Sequence, residues 1–151
     1  MASPYPAGGP PSGAPGGKTS LGLDSNVGAM LCYIANFLCC IGLVLAVVFL
    51  VTEKENRFVK FHALQSLFLA LVQIGLCLVM GILTQILGII LGMIHLGFLA
   101  FFLNWGLGLI LIIIFAIIWI LAGIKAYSGQ WHKLPLVGNF AWNMVNKESN
   151  P

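Results

Sequence analysis

Long apolar runs alternate with short polar interruptions along this chain, and the lengths of the runs predict the fold. The first run begins near Val27 and ends at Val51, about 25 residues with an uncharged interior and one strongly polar side chain, Asn36. A helix of that length crosses a hydrocarbon core of ~30 Å. Asp24 or Ser25 stands where its first turn needs a cap. The polar segment TEKENRFVKFH follows at 52–62 and holds five of the eleven charged side chains. Thr52 and Glu55 have capping-box spacing, and Glu53 and Arg57 are four apart, as an ion pair on a helix face requires.

From Ala63 to Ile124 no side chain is charged. A single helix over that stretch would measure roughly 93 Å at ~1.5 Å per residue, so the chain must double back. Two crossings fit, whereas three would leave nothing for loops. The reversal is expected between Gly88 and Asn104, a stretch holding Gly92, His95 and Gly97 and followed by Trp105, a residue suited to an interface. Part of it has the character of an interfacial or re-entrant segment. The expected fold class is therefore all-α: an integral membrane helical bundle of about three transmembrane helices, near 27–51, 63–87 and 105–126. Residues 1–20, rich in Pro and Gly, read as a disordered tail. Residues 21–141 form the multipass domain, and 142–151 a polar C-terminal tail. The first twenty residues lack the apolar core of a signal peptide, so the first crossing is expected to act as its own insertion signal.

Composition agrees with lipid as the solvent. Of 151 residues, 60 % are hydrophobic and 7 % charged, against about 25 % charged in a soluble domain. The net charge of +3 is too small and too clustered for a nucleic-acid surface. Placement matters more than the sum. With three crossings, Lys54, Arg57, Lys60, Lys125, Lys133 and Lys147 share one side and Lys18 alone lies on the other. The positive-inside rule then predicts a cell-membrane protein with its N-terminus outside and its C-terminus cytoplasmic.

Candidate chemistry is sparse. Cys32, Cys39, Cys40 and Cys77 lie in apolar runs without metal-ligand spacing, as small packing residues do. No paired carboxylates lie at membrane depth, and HExxH, GxSxG and P-loop patterns are absent. No enzyme activity, cofactor, metal, small-molecule substrate or nucleic-acid partner is expected. The expected partners are the lipid bilayer and other membrane proteins, further copies of the chain included. A stripe of mostly small residues, Ser66, Ala70, Gln73, Cys77, Gly81, Thr84, Gly88 and Gly92, runs along the second helix and extends to His62 and His95. Its steps of three and four define a helix-packing face. A second stripe, Gly28, Cys32, Ala35, Cys39, Gly42 and Ala46, marks the first helix. If the two meet, Asn36 is expected to bond Gln73 or Thr84. An interaction rim is expected from Glu55, Asn56, Arg57, Lys60, His62 and Gln65, joined by Lys133, Leu134 and Pro135.

Three segments carry a resemblance: GLDSNVGAMLCYI, EKENRFVKFHALQS (Glu53 to Ser66) and IKAYSGQWHKLPLVGNFA (Ile124 to Ala141). With the helices between them, residues 22–141 resemble the Tic-twenty-like group of small bacterial membrane proteins, named for a chloroplast inner-envelope import component. The resemblance implies a multipass helical domain and, remotely, protein translocation; it supplies no catalytic residues. The expected function is structural, assembly-related or translocation-related. The rival readings are an oligomeric channel or passive pore for ions or small solutes, and an accessory subunit of a larger membrane complex.

Overall fold

The structure, a computed structural model, describes residues 15–38, 40–54 and 56–147. Five helices account for most of them: α1 Ser25–Ile34, α2 Cys40–Thr52, α3 Arg57–Met93, α4 Gly97–Tyr127 and α5 Val137–Lys147. A membrane helical fold is what the apolar runs require. Of the five helices, α3 and α4 are long and apolar enough to cross a bilayer. Within α3's most apolar stretch only 6 % of residues are buried inside the chain, which leaves that surface to lipid.

The first apolar run departs from expectation. Instead of one helix over 27–51, α1 gives way to a 3₁₀ turn at Ala35–Leu38 and α2 returns alongside α1. The two halves are antiparallel: a Cβ placed on Gly28 would sit 3.4 Å from the Phe49 ring. At the bend, Gly42 lies so close to Asn36 that any side chain there would strike it. The open ends are tied together. Glu53, buried at the end of α2, accepts from the Ser20 amide (2.8 Å), the Ser20 hydroxyl (3.1 Å) and the Asn56 amide (3.2 Å). At ~1.5 Å per residue, α1 and α2 measure roughly 15 and 20 Å, each short of a ~30 Å core. The expected first crossing is thus a helical hairpin, neither arm of which is long enough to span the core.

The same contacts correct two local expectations. Residues 15–20 are not a loose tail: Thr19 is buried, and the Ser25 amide donates to the Gly17 carbonyl (2.8 Å). Residues 1–14 lie outside those described. Glu53 turns inward instead of pairing with Arg57, and α3 is capped by Asn56, whose Oδ1 accepts from the Val59 amide (3.3 Å). Glu55 and its expected capping box lie outside the described residues. Asp24 precedes α1 but makes no side-chain cap bond.

The reversal between α3 and α4 falls at residues 94–96, inside the expected window. α3 ends in a Schellman motif, with the Leu96 amide on the Leu91 carbonyl (2.8 Å) and the His95 amide on that of Gly92 (3.1 Å). His95 holds the left-handed position, φ 60°. His95, the expected far end of the small-residue stripe, is therefore the turn itself. α4 ends the same way, with Gly129 at φ 72° in the equivalent place and the Gln130 amide on the Lys125 carbonyl (3.0 Å).

The chain divides into two compact units, Ala70–Ile118 and the remainder. Within Ala70–Ile118 the arms of the hairpin pack through small residues. A Cβ on Gly88 would lie 3.5 Å from Ala100, and one on Gly97 3.6 Å from the Gly92 backbone. Thr84 Oγ1 sits 3.1 Å from Asn104 Oδ1.

Candidate functional site

The polar side chains of the other unit converge on the first turns of α3. Three elements supply them: α1 with Tyr33 and, just beyond it, Asn36; α3 with His62, Gln65 and Ser66; and residues 130–134, aimed at α3 by the Schellman turn at Gly129. Gln65 is fully buried. Its amide nitrogen donates to Tyr33 Oη (2.8 Å) and to the His132 carbonyl (3.1 Å), while Oε1 accepts from the Leu134 amide (3.1 Å). His62 places Nδ1 3.0 Å from Tyr33 Oη and Nε2 3.1 Å from the Gln130 carbonyl. A carbonyl only accepts, so Nε2 carries the proton and Nδ1 accepts from the tyrosine. The bonds then run one way: Gln65 to Tyr33, Tyr33 to His62, His62 to Gln130. One turn further on, Asn36 Nδ2 donates to Ser66 Oγ (2.7 Å) and to the Cys32 carbonyl (3.1 Å).

Aromatic rings enclose this cluster. Phe58 and Phe61 meet the His62 ring edge-on, with centroids 4.6 and 5.0 Å away. Trp131 packs on Phe58 (5.2 Å) and on Trp142 of α5 (5.7 Å). The Lys133 ammonium lies 4.1 Å over the Trp142 ring, a cation–π contact. At the edge, Lys125 Nζ approaches His132 Nδ1 at 3.3 Å. Partial burial, then the Lys125 charge, holds His132 below its usual value; burial also lowers Lys133.

Several expected site residues therefore sit elsewhere than on an open rim. Asn56, His62 and Gln65 are buried and join parts of the chain to one another, because amide and imidazole groups leave water only when they are fully hydrogen-bonded. Lys133 and the exposed Pro135 do come to the same end as Arg57 and Lys60, since residues 130–134 bond to His62 and Gln65. Of the small-residue stripe, Ser66 belongs to the polar cluster, Ala70 is buried and Cys77 is exposed. Thr84 and Gly88 face α4, and Gly92 is approached by Gly97 only through its backbone. Asn36 bonds Ser66, not Gln73 or Thr84; Gln73 Oε1 is buried without a partner, and Thr84 pairs with Asn104. The stripe residues Gly28, Cys32, Ala35, Gly42 and Ala46 all lie inside the unit holding α1 and α2; Cys39 lies outside the described residues. Sequence reading missed Tyr33, Ser20, Trp131 and Trp142. Tyr33 was the discoverable one, the single hydroxyl-bearing side chain of the first run.

A family model matches residues 24–141, the stretch from the start of α1 into α5, and covers well over half of the chain. It describes the magnetosome magnetite crystal formation protein family. The chain belongs to this family. A UPF0132 membrane protein of Methanocaldococcus jannaschii is 39 % identical over 125 residues, 83 % of this chain and 92 % of that protein. A second from the same organism is 30 % identical over 122 residues, 81 % of this chain and 71 % of the relative. One from Archaeoglobus fulgidus is 31 % identical over 127 residues, 82 % and 97 % of the two chains. No solved structure matches. These findings overturn the Tic-twenty-like resemblance. The three segments that carried it lie almost wholly within the matched span, but the family is a different one and the relatives are archaeal. Long polar motifs between apolar helices are therefore not specific to the Tic-twenty-like group.

Proposed function

We propose that this chain is a non-enzymatic assembly component of a cell membrane, built to join other membrane proteins, copies of itself among them. One observation carries the reading: the arms of the α3–α4 hairpin are uncharged for longer than a bilayer is thick. The uncharged part of α3, 63–93, measures roughly 46 Å and that of α4, 97–124, roughly 42 Å, against a core of ~30 Å. Mismatch on this scale exceeds what the usual tilt absorbs, and association is one way to relieve it. The end of the hairpin exposes Ile86, Ile89, Ile90, Met93, Phe98 and Phe102, a surface that calls for an apolar partner.

The proposed topology has two crossings, with α1–α2 re-entrant. Ser20 bonds Glu53, and a Cβ on Gly129 would meet Pro15 at 2.7 Å. These contacts support one side for both ends of the described chain. All seven Lys and Arg residues then fall on that side, which the positive-inside rule assigns to the cytoplasm. Translocation loses its basis with the resemblance that suggested it. The family description evokes work at a mineral surface. Among the described residues Glu53 is spent on Ser20 and Asp24 lies 4.0 Å from Lys18, and only the membrane role is carried over.

Mild-detergent purification followed by mass photometry tests the function. An assembly larger than one chain is expected, reduced to monomer by F98S/F102S. A monomer with no co-purifying membrane protein, or an assembly indifferent to that variant, would overturn it. Cysteine labelling at Lys18 and Lys147 from one side of sealed vesicles tests the topology: both should react together.

A further inference from the structure

We propose that the groove between α2, α3 and α5 is a binding site for one anionic phospholipid, with the phosphate between Lys60 and Lys147 and an acyl chain along Leu50, Leu64 and Met144. The groove has a volume of about 410 Å³ and is lined by these five residues. That volume lies within the range of ordinary ligand sites, roughly 300–1,000 Å³. Its lining is mixed, two lysines and three apolar side chains, the chemistry of a charged headgroup on a hydrocarbon tail.

The neighbourhood favours lipid over a free anion. α5 buries Val137, Ala141, Trp142 and Val145 against the rest of its unit. It also leaves Phe140 and Met144, four residues apart, 57 and 44 % exposed, with Leu136 just before the helix 90 % exposed. A short helix with an exposed apolar stripe and a terminal lysine belongs at the boundary between lipid and water. Met144 is shared by that stripe and the groove, so a lipid lying against α5 would have its headgroup delivered to the two lysines. Lys60 is in the first turn of α3 and Leu64 one turn deeper, which gives the groove the same polar-to-apolar direction as a lipid. The site is independent of how the α3–α4 hairpin end is covered.

The test uses the full chain in mild detergent, exposed to phosphatidylglycerol or phosphatidylcholine, with retained lipid counted by native mass spectrometry. Preferential retention of phosphatidylglycerol is expected. K60Q/K147Q should weaken it about thirtyfold, the equivalent of roughly 2 kcal/mol at about 1 kcal/mol per basic residue. K60R/K147R should retain the lipid, and K18Q, on an exposed side chain outside the groove's lining, should bind like the parent. Equal retention of both lipids would overturn the proposal, as would unchanged binding in K60Q/K147Q or loss in K60R/K147R. Displacement of the lipid by millimolar inorganic phosphate would assign the site to the free anion and overturn it too.

Discussion

The two ends of α3 are built by different means. At its start, side chains from residues 20 to 134 meet in a closed set of hydrogen bonds: Ser20 with Glu53, Tyr33 with His62 and Gln65, and Gln65 with the 132–134 backbone. Near its far end the contacts are short in sequence, Gly88 against Ala100 and a side-chain bond between the helices, Thr84 to Asn104, so close approach carries more of the packing than polar bonding does. The comparison separates two ways of holding helices together beside a membrane. Where elements short of a full crossing must stay in place, directional bonds fix them, and each loss strands a buried partner. Where two long helices run together, small residues and shape suffice.

Glutamine offers the sharpest way to break that comparison. Gln65→Leu removes three hydrogen bonds and leaves the Leu134 amide and His132 carbonyl without this partner. The expected cost is about 3 kcal/mol, read as a lower unfolding midpoint in detergent and faster hydrogen exchange at Leu134. Gln85→Leu, on an exposed position of the same helix, should change stability by less than about 0.5 kcal/mol. Equal effects would erase the distinction between the ends.

Glycine gives the next largest contrast. A Cβ on Gly138 would lie 2.7 Å from the Lys133 backbone and 2.8 Å from Gln65 Oε1. Gly138→Ala should therefore cost about 2 kcal/mol in thermal unfolding. Gly106 has open space around it. Gly106→Ala should instead stabilise by up to about 0.8 kcal/mol, the usual helix gain. A smaller effect is expected at the turn: His95→Gly relieves a left-handed residue and should raise stability by about 0.5 kcal/mol.

The smallest effect is that of pH. His132 titrates below its usual value in the folded chain because it is partly buried and faces Lys125. The unfolded state then holds more protons below about pH 6.5, so stability is complete above that value and declines as pH falls below it. The protection of amides across residues 130–134, corrected for the intrinsic exchange rate, should fall as pH drops below about 6.5, and His132→Gln should flatten the response.

Much of the fold was legible in the residues. The uncharged stretch 63–124 fixed two long helices and a reversal, since charge is excluded from lipid and a helix rises by a set amount per residue. The candidate site was less legible. His62 and Gln65 were singled out for being polar at a helix start, and that pattern describes an exposed rim and a buried joint equally well. Their partners Tyr33, Gln130 and Leu134 lie 29 to 69 positions away, beyond the reach of any local spacing.

What the sequence by itself determined is that this chain lives in a membrane as helices, because the free energy of moving each side chain from water to lipid is a local property. Only the tertiary structure decided that residues 27–51 turn back instead of passing through. Hydropathy is the same for a run that crosses and one that returns, and a lone Gly42 beside ANFLCC suits a membrane-spanning helix as well as a bend. The choice rests on Asn36 reaching Ser66 and Ser20 reaching Glu53, bonds that exist only once the distant parts of the chain have come together.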